Sequence, residues 1–460
     1  MQAYEELKQL HRKLRSLRHL LALGEWDMHT MMPPKGATAR ANTLAELEAH
    51  VRQLHTAPRV ALLLKEALLV KDELAEVDRA DLREMVRLHE LASQLPEELL
   101  RRKTRLATLA QQLWVKCRAE NDIAAWLPTL QELVDLEREE GCLRAGTSGK
   151  SPYGALLGAN EPGMTVAKLD AIYADIKSWL PALYKEVLEN RKDVGASLTE
   201  LQTPISKEKQ IALGRQLMTD VWRYDWGAGR YDEAPHPFGG MLKEYVRMTY
   251  YWPPDNYTKC LLATIHETGN AKYEQKCGPR ELLGQPVCEA RSGGIHETQS
   301  LLAERMIAKS AAFAEYLAPL LELHLGAQPG LTVKNVRKIN QLVKPSCIRK
   351  LADEIERNLI EGRLEAVDVP RVWDEKMKKY MGLETLGRDD LGCLKGIHWD
   401  AGYWAGFPAY TIGTWSQYLP TSRREHDYLT ATASGPGRAT MHTGKLNPRY
   451  LAVALAGVRL

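Results

Sequence analysis

Leu7, Leu10, Leu14, Leu17 and Leu21 step by threes and fours, the spacing that keeps apolar side chains on one face of a helix, and predict helix over residues 3–22 with the stripe used for packing. Met31-Met32-Pro33-Pro34-Lys35-Gly36 ends that unit. Helical period resumes over 37–56, 58–70, 73–93 and 96–119, then over 122–140, where Pro128 is expected to start or kink the helix. Gly141, Gly146, Gly149, Gly154, Gly158 and Gly163, with Pro152 and Pro162, predict a long connecting loop over 141–164. Helices are expected at 165–191 and 206–222, followed by a Gly/Pro/His region from Gly227 to Gly240. Tyr245, Arg247, Thr249 and Tyr251 alternate within 243–252 and predict one short strand. The remaining pattern gives helices at 259–276, 296–325, 332–343, 346–361 and 370–381, a glycine- and aromatic-rich stretch from Gly392 to Gly413, and a short helix at 447–458. No repeat or low-complexity tract interrupts this mainly α pattern.

Composition narrows the class without naming a chemistry. The 460 residues allow one large domain or up to about three, at ~150 residues each. With 44% hydrophobic and 26% charged residues the balance is that of an ordinary globular protein. A net charge of +3 gives no reason to expect nucleic acid or an anionic membrane as partner. Seven scattered cysteines without a C-x-x-C favour reduced thiols over a disulfide framework or a cysteine zinc site. The first residues read as an amphipathic helix and no apolar run approaches ~20 residues, so a soluble cytoplasmic protein is expected.

The chemistry concentrates in Thr264-Ile265-His266-Glu267-Thr268-Gly269-Asn270, followed by Tyr273-Glu274-Gln275. In H-E-x-x-H, two histidines four apart share a helix face and bind zinc, and the intervening glutamate is the base. Here the second ligand position is Asn270. Gly269 costs ~1 kcal/mol relative to alanine inside a helix, a cost more readily borne where something approaches closely. Glu297, 27 positions beyond Asn270 on the next predicted helix, stands where a third ligand would come from.

Taken together with Gly24-Glu25-Trp26-Asp27, His236-Pro237-Phe238, Arg247 with Thr249, His296-Glu297-Thr298-Gln299-Ser300, Ile348-Arg349-Lys350-Leu351-Ala352-Asp353, His398-Trp399 and Phe407-Pro408-Ala409-Tyr410-Thr411, the motif resembles the thermostable carboxypeptidase Taq family of metallocarboxypeptidases along nearly the whole chain. The resemblance implies a large helical single domain over 1–460, with 1–140 as an N-terminal helical part and 141–460 carrying the site. It implies a deep substrate groove, a small β element beside the His-Glu helix, a zinc or cobalt cofactor, a homodimer, and release of C-terminal residues from peptides. By position it makes His266, Asn270 and Glu297 the metal set and Glu267 the general base. Arg349 would hold the substrate carboxylate. His398 and Tyr410 would donate to the developing oxyanion, with His236 nearby.

Four features depart from the family's pattern. Asn270 replaces the second histidine, Tyr245 replaces an aspartate on the strand, Lys395-Gly396 replace a Gln-Asp pair before His398, and the chain from Ser416 is shorter and more broken. An amide oxygen is a neutral, hard donor, so zinc binding is expected to weaken. Ordinary readings stand beside these roles: His266 as a packed histidine, Arg349 and Asp353 as an i, i+4 pair, Tyr410 as core, and His236, His296 and His398 as structural hydrogen-bonders. Two functions follow: a metallocarboxypeptidase with a weakened metal, or an inactive relative that keeps the fold to bind peptides or a partner.

Overall fold

Apolar stripes at helical spacing need partners to cover them, and the chain meets that need with helix against helix. The computed structural model describes residues 1–190, 199, 201, 203–254, 256–341, 348–385 and 387–416. Its first layer comprises α1 (Gln2–Thr30), α2 (Ala37–His55), α3 (Pro58–Leu69), α4 (Glu76–Ser93), α5 (Glu97–Glu120) and α6 (Ile123–Ala145). Leu7, Leu14 and Leu21 are buried in two clusters, against α3 and α4 at one end and α2 at the other, as their spacing requires. α1 runs eight residues beyond the expected end, and within that extension Gly24 lets α2 approach: a Cβ there would lie 2.8 Å from Leu44 and 2.9 Å from Arg40.

The expected loop over 141–164 is a correction. α6 continues to Ala145, and α7 (Pro152–Asn160) follows within seven residues. Ser151 accepts a hydrogen bond from the Gly154 N–H and Pro152 occupies the first helical turn, a start signal that outweighs the glycines around it. Gly141 lies inside α6, where the lack of a side chain lets Pro152 pack on it, its carbonyl oxygen 3.1 Å from where a Cβ would stand. Pro128 sits inside α6, which begins earlier, at the Asp122 cap.

α8 (Val166–Asn190) and α9 (Lys207–Asp220) lead to a three-stranded sheet where one strand is expected. β3 (Tyr245–Tyr250) is central, paired parallel to β1 (Gly229–Glu233) and antiparallel to β2 (Gly239–Leu242). β1 and β2 escape an apolar-pattern reading because one is mostly charged and the other opens on two glycines. α10 (Tyr257–Glu274) then carries the His-Glu motif, capped by Asn256. The helix expected over 296–325 is split into α11 (Gly293–Leu301), a π-helical turn (Leu302–Ile307) and α12 (Ala311–Leu325), the last opened by the Ser310 cap. α13 (Val333–Gln341), α14 (Ile348–Ile360), α15 (Val369–Met381) and α16 (Pro408–Ser416) complete the described elements. The mainly α fold with a small β element is as expected; the helix expected at 447–458 lies outside the described residues.

Two apolar clusters fix the site. Leu261, Leu262 and Ile265 of α10 pack with Leu213 and Leu217 of α9 and Phe313 and Leu317 of α12, while Ala271 of α10 meets Val246 and Met248 of β3. The helix is thereby clamped between a helical layer and the sheet. A larger core joins α5 and α6 to the C-terminal segments, with Trp114 Nε1 donating to the Leu394 carbonyl at 3.0 Å and Trp126 Nε1 to Asp400 at 2.8 Å. Among the described residues no helix is long and apolar enough to cross a membrane.

Candidate active site

α10 and α11 cross in backbone contact, and Gly269 is what permits it. A Cβ at Gly269 would lie 2.6 Å from the Gln299 carbonyl oxygen and 2.7 Å from Ser300 Cα. α16 presses on α11 in the same way: a Cβ at Gly413 would be 3.0 Å from Glu297 Cβ and 3.0 Å from the Thr298 nitrogen. Glu161, beyond α7, holds the start of α11 by accepting from the Ser292 hydroxyl and from the Gly294 N–H at 2.9 Å. Glu297 is therefore set on rigid backbone facing the His-Glu helix.

His266 is buried, with Nε2 3.5 Å from Glu297 Oε2 and Nδ1 3.0 Å from Glu304 Oε2. Ser300 Oγ donates to Glu297 Oε2 at 3.0 Å. Burial disfavours an ionised Glu304, but the hydrogen bond from His266 and the charges of His266, Arg305 and Lys309 outweigh it and hold its pKa far below the usual range. Glu304 thus stays an acceptor, and Nδ1 carries the proton. That leaves Nε2 directed at Glu297, the orientation that a carboxylate behind a metal-binding imidazole enforces. Burial would lower the pKa of His266, yet Glu304, Glu297 and Glu267 together raise it.

Glu267 lies beside His266, partly exposed, its pKa raised by burial and by the charge of Glu297 against the opposing effect of His266. It accepts a hydrogen bond from Asn270. The Asn270 Oδ1, at the other end of that amide, is buried without a partner. Gly239 closes the far side, where a Cβ would be 3.3 Å from Glu267 Oε2. Phe238 and Met241 fix the phase of β2: the Phe238 carbonyl accepts from the Thr249 N–H at 2.9 Å and the Met241 carbonyl from Arg15 at 2.6 Å. Odd positions of β2, Gly239 among them, therefore turn their backbone groups away from β3.

His398, Tyr410 and His236 form one group. His398 Nε2 is 3.2 Å from the Tyr410 hydroxyl, and the His398 ring stands edge-on to His236, centroids 5.7 Å apart. Tyr410 precedes Gly413 by three positions on α16, so it shares the face that meets Glu297. Gly396 abuts His398: a Cβ would be 2.9 Å from its Nδ1, so no carboxylate comes from that position. His296 hydrogen-bonds Glu274 at 3.1 Å and ties α11 to α10. Asp353 is buried and accepts from the Tyr153 hydroxyl, with burial raising its pKa to about 6. Arg349 lies in α14, but its side chain is outside the described residues.

Glu304, Gly239 and Glu161 are absent from the sequence reading. Glu304 follows Glu297 by seven positions, two helical turns, and that spacing was the available signal. Among the described residues no three His, Cys, Asp or Glu side chains converge as a metal-ligand group, and the Asn270 amide is a further polar group on the same helix, one turn beyond His266. The donors present, an oriented imidazole nitrogen, a carboxylate and a buried orphan amide oxygen, fit a divalent ion and lean toward a hard one.

A His-Glu helix crossed by a second helix offering a glutamate, with a strand edge alongside, is the arrangement of a metallopeptidase. The family described as carboxypeptidase Taq (M32) metallopeptidase matches residues 6–435. Thermostable carboxypeptidase 1 of Thermus thermophilus is 30% identical over 434 residues, covering 89% of this chain and 84% of that protein. Carboxypeptidase 1 of Bacillus subtilis is 28% identical over 424 residues, 89% of this chain and 83% of that one. The structure of Trypanosoma cruzi metallocarboxypeptidase 1 superposes with a TM-score of 0.83 at 47% identity, over 94% of this chain and 89% of that one. The chain belongs to the carboxypeptidase Taq (M32) metallopeptidase family, an enzyme family with a divalent metal cofactor and peptide substrates.

Proposed function

We propose that this chain is a working carboxypeptidase that holds its divalent ion through His266 Nε2, the Asn270 amide oxygen and Glu297, more weakly than a two-histidine site holds zinc. The observation that carries the reading is the Glu304–His266 bond, which turns Nε2 toward Glu297. When bound, the ion supplies a Lewis acid that polarises the scissile carbonyl. Glu267 takes the proton of the attacking water, and its raised pKa suits a base working nearer neutrality. The outward backbone of Gly239 aligns an extended peptide beside Glu267 by strand addition. His398 and Tyr410 donate to the carbonyl oxygen, His236 supports the His398 ring, and Arg349 binds the terminal carboxylate. Zinc or cobalt as the ion, a homodimer and a cytoplasmic location belong to the same reading.

Elemental analysis after dialysis against zinc or cobalt, with amino-acid release from a peptide bearing a free C-terminus, tests it. Stoichiometric metal and release that Glu267→Gln abolishes are expected. No metal, together with no release at high enzyme concentration, overturns it.

A second reading, an inactive relative that binds peptides or a partner, has one observation in its favour: Gly396 brings no carboxylate to Nδ1 of His398. It predicts peptide binding without metal, and an Asn270→His variant that regains metal but not turnover.

A further inference from the structure

The sheet has a second face, and its chemistry is the opposite of the first. Register places Tyr231, Met248 and Gly239 in one row, on the side of α10 and Glu267. The next row is Arg230, Arg247 and Gly240, and alternation along each strand turns it to the other side. There α1 covers it: Trp26 lies over both guanidiniums, 4.2 Å from Arg247 and 5.4 Å from Arg230. His19 stands edge-on to Tyr245 with centroids 4.7 Å apart, and Arg15 reaches the end of β2. Gly240 leaves the row open, with nothing within 4 Å of where its Cβ would be.

This face is short of acceptors. Arg15 has Glu289 at 3.3 Å and Arg230 has Asp232 at 2.7 Å. Arg247, only 7% exposed, has no carboxylate within 4.0 Å among the described residues. Its Nη2 donates to the Tyr245 hydroxyl, while its Nη1 is buried with no partner. His19 Nδ1 and Trp26 Nε1 beside it are likewise buried without partners. These three nitrogens, on Arg247 and on the rings of His19 and Trp26, are donors that an anion could satisfy. Burial and the charges of Arg15 and Arg247 lower the pKa of His19.

The sequence explains the vacancy of charge. Position 245 is two residues before Arg247, on the same face of the strand, and it holds Tyr245, not a carboxylate. Tyr245 accepts one hydrogen bond from the guanidinium and sets its ring 4.4 Å away, where an aspartate would add a carboxylate. The surplus is a single positive charge, matched by a carboxylate better than by a dianionic phosphate. We infer that Arg247, with His19 and Trp26 beside it, binds the carboxylate of a small acid or of an acidic peptide side chain, at a site the thickness of the sheet away from Glu267.

Thermal unfolding of the full chain in sodium acetate against sodium chloride, at equal ionic strength and pH, tests this. A saturable rise in melting temperature with acetate is expected. Tyr245→Asp carries its own carboxylate, so it should melt higher than the unchanged chain in chloride and show no acetate response. Arg247→Gln should weaken the acetate response at least tenfold in apparent affinity. An N-acetylated, C-amidated glycine peptide with one central glutamate separates the sources. Saturation by it at concentrations tenfold below acetate marks a peptide side chain as the ligand, and acetate acting alone marks a free acid. Equal melting in acetate and chloride overturns the proposal, as does an acetate response that survives in Tyr245→Asp, which would place the anion elsewhere, including at the metal site.

Discussion

Glu304 Oε2 accepts from Nδ1 of His266 at 3.0 Å, and this one bond decides which imidazole nitrogen faces Glu297. Without it the ring can present either tautomer and rotate. Glu304→Ala is therefore expected to weaken metal binding by about 10–100-fold, the usual cost of losing such a partner. Chelator competition on the folded variant measures it; unchanged affinity would show that burial alone orients the ring.

Asn270→His should strengthen zinc binding at least tenfold, because imidazole is the better zinc donor. The amide oxygen replaced has no protein partner, and the one hydrogen bond given up is that from the amide nitrogen to Glu267. Competition with a zinc indicator reads the change. Equal zinc affinity in both proteins would mean Asn270 does not face the ion.

Gly269→Ala should destabilise the protein by about 1–3 kcal/mol, the range for forcing extra volume into a packed interior. The new Cβ would meet backbone atoms of Gln299 and Ser300, which cannot rotate away. Chemical denaturation gives the loss, and metal affinity should fall with it as Glu297 is pushed back. A variant as stable as the original would show that α11 is free to shift.

Asp400 is fully buried, and burial raises its pKa to about 8 against the hydrogen bond from Trp126. The native state keeps a proton that the unfolded chain releases near the ordinary aspartate value of 3.8. This group's contribution is constant below that value, and stability falls by up to about 1.4 kcal/mol per pH unit as pH rises toward 8, then levels. Asp400→Asn keeps an acceptor for Trp126 and removes that slope. Melting curves should match at pH ~4 and favour the variant above pH ~7; parallel profiles would contradict this.

Much of this architecture is legible in the sequence, and the parts that are not share a cause. Long amphipathic helices announce themselves, since Leu7, Leu14 and Leu21 can be buried together only on a helix. Gly269 in mid-helix rightly signals a close approach, here by α11. α7 is hidden because glycine-rich composition masks the Ser151-Pro152 start, whose force comes from one side-chain cap. β1 and β2 are hidden because their alternation is written in arginine, tyrosine and glycine, whose placement depends on Trp26 and α10 rather than on hydrophobicity. The bond between His266 and Glu304 joins residues 38 apart across a π-helical turn, and its trace in the sequence is only the seven-residue spacing of Glu304 from Glu297.

Asn270 stands where a working carboxypeptidase of this family would need a donor to its metal. The most direct test measures bound metal and release of C-terminal residues side by side for this chain and Asn270→His, across zinc, cobalt and manganese. This chain should release residues once metal is saturating, and Asn270→His should do so at lower zinc. A folded chain that binds metal yet releases nothing, beside an Asn270→His variant that turns over, would contradict it.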